Sequence, residues 1–193
     1  MEPVTLTTQR LLLRPHDPSD EDAVFAACQD PDIQRWTDLP QPYERKHAAS
    51  YLRDVVPRGW HDETMYHFAA LHRESGVLVA SVNVHRHSDT WGIGYWTVAE
   101  HRGRGYATES VRALADWSFT ARGVQRLEWR AEAGNMGSWA VAEKVGFLRE
   151  GTLRAAQTNR NGLRDTWVGA LLPADLGLPF ALPYCPTKSD LPW

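Results

Sequence analysis

The sequence predicts an α+β domain, a mixed sheet with helices on both faces rather than a regular alternation of single strands and helices. Seven runs read as strands and four as helices, and the strands cluster in consecutive groups before and after a central helix. At 193 residues and 42% hydrophobic content the chain can bury a full core as one unit. Residues 1–172 are expected to form that domain, followed by a proline-rich tail over 173–193.

The first strand is expected over Leu6–Arg14, where Leu11 and Leu13 alternate with Leu12 and Arg14 before His16-Asp-Pro-Ser-Asp20 interrupts it. Ser19 is placed to cap a helix over Glu21–Gln29 that stops ahead of Pro31. A second helix is expected over Tyr43–Val56, ending before Pro57. Between them Arg35-Trp-Thr-Asp-Leu-Pro-Gln-Pro42 reads as an aromatic, proline-rich loop. Tyr66–His72 and Val77–His85 form paired strands around Glu74-Ser-Gly76, and Thr90–Val98 forms the next. After the central helix come a strand over Arg126–Ala131 and a helix over Gly137–Val145, with Asn135 as its N-cap and Gly146 at its end. Strands over Phe147–Gln157 and Leu163–Leu172 flank a turn containing Asn161-Gly162. Residues 173–193 carry five prolines with Phe180, Tyr184 and Trp193, which suits an extended segment packed on the domain.

The most informative stretch is Val98-Ala-Glu-His-Arg-Gly-Arg-Gly-Tyr-Ala-Thr-Glu-Ser110. A strand-like run, Gly92–Val98, enters it. The helix that leaves it has Ala107, Val111, Leu114 and Ser118 on one face, with Glu109, Arg112 and Asp116 on the other. Gly103 and Gly105 permit a tight turn and a close backbone approach, and the unpaired N–H groups of a helix start attract an anion. Arg102 and Arg104 add positive charge, so a pyrophosphate suits the loop, although a glycine turn with solvated arginines would look the same in isolation. A mononucleotide P-loop is excluded, because Tyr106-Ala107 follows Gly105 where Lys-Ser/Thr is needed. A dinucleotide fingerprint lacks its third glycine, since residue 108 is Thr108, but Glu128 lies at a fitting distance and keeps that alternative open.

Composition narrows the function further. A net charge of -3 gives no global attraction to nucleic acid or anionic membrane, and no apolar run approaches the length of a membrane span. With a non-basic, non-apolar N-terminus, a cytoplasmic protein is expected. Cys28 and Cys185 alone build neither a disulfide framework nor a thiolate zinc site. His85 and His87 alternate on one strand face, but no further ligand pattern accompanies them, and no metal is expected.

Several segments in order resemble the GCN5-related N-acetyltransferase (GNAT) superfamily, in particular the branch that acetylates ribosomal-protein amino termini. They are Thr8-Gln-Arg-Leu-Leu-Leu-Arg14, Ile93-Gly-Tyr-Trp96, Gly103-Arg-Gly-Tyr-Ala-Thr-Glu109, Asn135-x-x-Ser138 and Glu143-Lys-Val-Gly-Phe147, followed by Glu150-Gly151 and Asp165. The superfamily's loop pattern is met by Arg102, Gly105 and Ala107. The resemblance implies a mostly antiparallel sheet of about seven strands, with a V-shaped splay between the fourth and fifth. It implies acetyl-CoA as co-substrate, its pantetheine arm paired with the free edge at Tyr95–Val98. Trp96, Val98, Arg102, Gly103, Arg104, Gly105, Tyr106, Ala107, Thr108, Asn135 and Ser138 are the implied cofactor contacts.

The same resemblance implies chemistry. The Val98 amide is expected to hold the carbonyl oxygen of the thioester, and Ser138 to assist departure of the thiolate, although each of Ser138 and Asn135 also reads as an ordinary helix-start residue. The position of the superfamily's frequent tyrosine is Ala142, and the branch's strand carboxylate is replaced by Gly92. Another polar position that is sometimes acidic in the branch is Gln157. Glu132, His85 or a chain of waters remain as proton acceptors, with Glu132 equally readable as a solvated strand-end carboxylate. The acceptor amine, an α-amine of a protein or of a small molecule, is expected near Trp36, Tyr43 and His85. A non-catalytic acyl-CoA-binding module is the alternative, and a homodimer is one assembly left open.

Overall fold

The computed structural model describes residues 2–87, 90–159 and 162–186. Eight strands form a single sheet in the order β1-β2-β3-β4-β5-β6-β8-β7. They are β1 (Leu6–Thr7), β2 (Leu11–Pro15), β3 (Met65–His72), β4 (Leu78–His87), β5 (Thr90–Thr97), β6 (Leu127–Glu132), β7 (Leu148–Asn159) and β8 (Gly162–Leu171). The eighth strand arises because the expected first strand divides: Thr8 caps the break, its hydroxyl accepting from the Leu11 amide at 2.9 Å, and β1 folds back on β2. Every pairing is antiparallel except β5 with β6.

Helices α1 (Glu21–Ala27), α2 (Pro31–Trp36) and α3 (Arg45–Ser50) are followed by a π-helical stretch over Tyr51–Val55 and by α4 (Val56–His61). Two sequence expectations change here. Asp17, not Ser19, caps the turn that leads into α1: its carboxylate accepts from the Ser19 amide at 2.8 Å. The helix ahead of Pro57 does not stop, because the proline falls in the first turn of α4, where a missing N–H costs little. Helices α5 (Tyr106–Arg122) and α6 (Met136–Val145) end on Gly123 and Gly146, both left-handed.

The two faces of the sheet carry different cores. On one, Phe68, Val82, Ile93 and Trp129 pack against α4, α5 and α6 through Trp60, Leu114 and Ala142. On the other, Ala69 and Leu78 meet Val24, Ile33, Ala48 and Leu52 of α1, α2, α3 and the π-helical stretch. Beyond Leu171 the chain turns through Pro173–Leu176, and Leu176 and Leu178 pack on the first core, so the start of the proline-rich segment is docked. The Gln125 carboxamide oxygen then accepts from the Ala181 amide at 2.8 Å. The turn residue Asn161 and the tail's Trp193 lie outside the described residues. Among the described residues no helix is long and apolar enough to cross a membrane.

Candidate active site

The parallel contact between β5 and β6 is short: it pairs Trp91 with Leu127, Gly92 with Glu128 and Ile93 with Trp129, then ceases. Beyond it β5 stays with β4 as far as Thr97, while β6 stays with β8 as far as Glu132. A V-shaped gap results, as the family resemblance implies. It opens into a cleft of 720 Å³ lined by β5, β6, the loop before α5, the start of α6 and the outer face of α2.

The edge that β5 offers to this gap is fixed by register. The Val98 amide donates to the Val79 carbonyl at 3.0 Å, so it faces β4 and is not available to a thioester in the cleft. This corrects the expected role of Val98. By the two-residue alternation of an antiparallel ladder, the backbone groups of Tyr95 and Thr97 face the gap, while those of Trp96 face β4. The Trp96 side chain still lines the cleft, on the side of the second core.

The loop between β5 and α5 has the form the sequence predicts. Gly103 and Gly105 take φ of +75° and +79°, a region that side chains with a Cβ disfavour, and Gly105 serves as the N-cap of α5. The first intrahelical bond runs from the Glu109 amide to the Gly105 carbonyl at 3.0 Å, so the amides of Tyr106, Ala107 and Thr108 precede the helical ladder at the positive end of a 17-residue helix. Gly103, Gly105, Tyr106, Ala107 and Thr108 all line the cleft. Arg104 is exposed and stands outside the cleft lining, its carbonyl accepting from Arg10 at 2.9 Å. Arg10 in turn reaches Glu109 at 2.7 Å and lies over the Tyr106 ring, tying the N-terminal strands to the loop. Arg102 does line the cleft, but its guanidinium is held by Asp30 at 2.5 Å and Asp32 at 3.0 Å.

On the α6 side, the Asn135 carboxamide oxygen caps the helix by accepting from the Ser138 amide at 3.1 Å. The Ser138 hydroxyl accepts from the Trp129 indole N–H at 2.9 Å and donates to the Tyr95 hydroxyl at 3.1 Å, and Tyr95 donates onward to the Ser138 carbonyl at 2.7 Å. Tyr95 therefore spans the gap from β5 to α6. Burial pushes its phenol up to about 12. Ala142 is fully buried, so a phenol reaches this helix from the strand instead. Sequence reading passed over Tyr95 because alternation alone does not say which side of the V its ring enters.

On the other side, α2 is the main element the sequence reading missed, although Asp30-Pro31 is an N-cap followed by proline at the first helical position. The Asp30 carboxylate accepts from the Ile33 amide at 2.9 Å. Through α2, Trp36 lines the cleft, with the Arg35 guanidinium 4.2 Å from its ring centre. Tyr43 does not line it. It is 7% exposed and packed against Phe25 and His47 in the second core, which corrects its expected place at the acceptor. His85 stands on β4 beside Gly92, outside the cleft lining. Glu132 is buried and receives two hydrogen bonds from Arg35 and one from Asn159 at 2.9 Å. The Arg35 bonds, against the opposing effect of burial, hold its carboxyl below the ordinary range, so Glu132 fits a fixed anion better than a proton acceptor.

A parallel contact that opens into a V, a glycine loop at the head of the helix that follows, and a hydroxyl on the facing helix are the features of an acyltransferase. The model of the acetyltransferase (GNAT) domain matches residues 10–148. The chain belongs to that family. N-acetyltransferase p20 of Bacillus licheniformis is 25% identical over 174 residues, covering 87% of this chain and 96% of the relative. Among solved structures, RimJ of Mycobacterium smegmatis in complex with a CoA disulfide superposes with TM-score 0.78 at 24% identity, over 92% of each chain. Ribosomal-protein-S5-alanine acetyltransferase from Vibrio fischeri gives 0.76 at 16% identity, over 88% of this chain and 96% of that one.

Proposed function

We propose that the protein moves an acetyl group from acetyl-CoA directly to a primary amine, and that the amine is an α-amine, of a protein N-terminus or of a small molecule. The observation that carries this reading is the gap between Ile93 and Thr97 on one side and Trp129 and Glu132 on the other, which leads from the Gly103–Gly105 loop to the hydroxyl of Ser138. The residues present fit the donor. The backbone edge at Tyr95 and Thr97 can pair with an extended pantetheine, the left-handed glycines leave room for a pyrophosphate, and the amides of Tyr106 to Thr108 can bind it.

The amide of Tyr95 is the first on that edge after the last β6 partner, and it replaces Val98 as the donor to the carbonyl oxygen. Such donors are typically worth about 2.7–4 kcal/mol. The Ser138 hydroxyl, its oxygen held by the Trp129 indole N–H, turns its one proton from Tyr95 to the departing sulfur. The acceptor approaches from the side of α2 and Trp36. RimJ's complex with a CoA disulfide supports CoA as the ligand, and RimL, named as a ribosomal L7/L12 α-N-protein acetyltransferase, supports an α-amine.

The test is a melting curve with acetyl-CoA and with NAD, followed by thiol release across peptides and small amines. Stabilisation by acetyl-CoA alone and thiol release with α-amines are expected. Stabilisation without release for any amine would favour the non-catalytic acyl-CoA-binding module, with which Ala142 is compatible.

A further inference from the structure

The break between β1 and β2 places Arg10 beside the loop before α5. Thr8, which shapes that break, donates its hydroxyl to Glu109 at 2.6 Å, and the Arg10 amide donates to the same carboxylate at 2.9 Å. The Arg10 guanidinium then divides its donors. Its Nε bonds Glu109 at 2.7 Å, its Nη1 bonds the Arg104 carbonyl at 2.9 Å, and its carbon lies 4.8 Å from the centre of the Tyr106 ring. Its Nη2 stands 3.5 Å from the place a Cβ on Gly105 would take, so Arg10, which does not line the cleft, covers that glycine from the other side.

The bond to Arg104 decides which way one peptide faces. The Arg104–Gly105 peptide is trans, so its carbonyl and its N–H point in opposite directions. With the carbonyl turned to Arg10, the Gly105 N–H is turned to the side on which Gly105 lines the cleft, and among the described residues it donates to no protein acceptor. Gly105 is left-handed and Tyr106 opens the helix, a succession that converges neighbouring N–H groups on one point. The Gly105 amide therefore joins those of Tyr106 and Ala107. Glycine tolerates this peptide in either direction, so the loop alone does not keep a carbonyl from turning toward the place of an anion. Charge points the same way. Glu109 lies in the first turn of α5, where a bare carboxylate would repel a pyrophosphate. Burial opposes its ionisation, but the bonds from Thr8 and Arg10 hold it below the ordinary carboxylate range, so it is an anion that Arg10 balances.

Resting on the acyltransferase reading, we propose that Arg10 is a positioning residue for the donor. By holding the Arg104 carbonyl away from the cleft it aims the Gly105 amide at the pyrophosphate of acetyl-CoA, and by pairing with Glu109 it keeps the start of α5 free of net negative charge. The break after β1 thus serves the donor site through the loop, with Arg10 itself outside the cleft lining.

The experiment compares two donors, acetyl-CoA and S-acetylpantetheine, which keeps the thioester and the pantetheine arm but has no pyrophosphate. Thiol release to Ala-, Ser- and Met-initiated tripeptides is followed in the wild type, Arg10→Gln, Arg10→Lys and Glu109→Gln, alongside CoA affinity by calorimetry. Arg10→Gln should weaken CoA binding and raise the KM for acetyl-CoA at least tenfold, about 1.4 kcal/mol. Its kcat at saturation and its kcat/KM with S-acetylpantetheine should stay at the wild-type values. Arg10→Lys should recover part of the loss, since an ammonium can hold the carbonyl but does not fork between it and Glu109. Glu109→Gln breaks the ion pair and leaves Arg10 its carbonyl, so it should weaken CoA much less than Arg10→Gln. The Gly105 amide resonance should shift on addition of CoA to the wild type and stay in place in Arg10→Gln. A folded Arg10→Gln variant with unchanged CoA affinity overturns the assignment and leaves the acyltransferase reading intact. An equal loss with both donors, which a general disturbance of the fold would give, or an equal loss in Glu109→Gln overturns it as well. A wild type that neither binds CoA nor releases thiol from either donor overturns the acyltransferase reading, and this inference with it.

Discussion

Arg35 and Glu132 join α2 to β6 by two hydrogen bonds, of 2.9 and 2.6 Å, beside the open end of the V. Asp30 and Asp32 tie the other end of the same helix to Arg102 on the loop before α5. The short helix is therefore pinned at both ends to elements that frame the cleft. Glu132→Gln keeps the size of the side chain and removes the charge that Arg35 and Arg164 face. Acceptor KM is expected to rise while the pH dependence of kcat/KM keeps its wild-type limbs. Loss of an acid limb in this variant would make Glu132 the base.

A second ion pair ties the N-terminal strands to α1. Asp20, 5% exposed, accepts from Arg14 at 2.9 and 2.7 Å and lies 3.2 Å from His16 Nδ1, while His16 Nε2 reaches Ser81 on β4 at 2.9 Å. Burial opposes the charge, but the bonds from His16, Arg14 and the Asp17 amide together hold the Asp20 carboxyl far below its ordinary range. The folded-state pKa is depressed, so this stabilisation is complete above the unfolded value of about 3.9 and is lost as pH falls below it. Asp20→Ala removes the buried carboxylate that Arg14 and His16 share, leaving Arg14 only the more exposed Asp17 at 3.2 Å, and should cost about 3 kcal/mol at pH 7. Urea unfolding at pH 7 and pH 3 should show the gap between wild type and variant narrowing in acid; an equal gap at both would remove the electrostatic explanation.

Much of this fold was legible because local chemistry and tertiary packing agree in it. Asn135 and Gly146 bound α6 as their side-chain chemistry predicts, and Val111, Leu114 and Ser118 of α5 are all buried. Where two local signals competed, the reading failed. Pro31 reads along the chain as a stop for α1 but, preceded by the cap Asp30, it starts α2 where a loop is expected. The cleft was harder, since the direction of the Val98 amide depends on whether β4 or β6 receives it. Only the β4 register, with Val98 donating to Val79, decides that. The same holds for His85, whose relation to Gly92 is a cross-strand fact invisible along the chain.

Gly103 tests the pyrophosphate loop with little disturbance elsewhere. Nothing lies within 4 Å of the Cβ it lacks, yet its φ of +75° makes any side chain there strained. Gly103→Ala should cost about 1 kcal/mol of stability. It should weaken CoA binding at least tenfold, about 1.4 kcal/mol. Calorimetric titration of the folded variant with unchanged affinity would remove the loop from the donor site.

Ser138 offers a cleaner separation of binding from chemistry. In Ser138→Ala the Trp129 indole N–H and the Tyr95 hydroxyl lose a shared partner, so some destabilisation is expected whatever the mechanism. The discriminating quantity is turnover with chemistry shown to be rate-limiting, which should fall by about a hundredfold or less, because a hydroxyl is a weak acid. Tyr95→Phe should produce a smaller loss of the same kind. Unaltered turnover in Ser138→Ala would leave the thiolate to take its proton from water.

The choice of acceptor follows from the strength of the available base. Gly92 brings no carboxylate to the acceptor face, and Glu132 is committed to Arg35 and Asn159. At pH 7.4 roughly a quarter of an α-amine is already neutral, whereas a lysine amine is neutral in only about one part in a thousand. The extra cost of deprotonating lysine is roughly 2.4–2.7 pKa units, about 3.5 kcal/mol, and Glu132, committed to Arg35 and Asn159, does not offset it. With peptides that carry both a free N-terminus and an internal lysine, mass spectrometry should therefore find the acetyl group on the N-terminus at pH 7, with lysine modification rising as pH approaches 10. Predominant lysine acetylation at pH 7 would require a base that offsets this cost, and would set aside the α-amine reading.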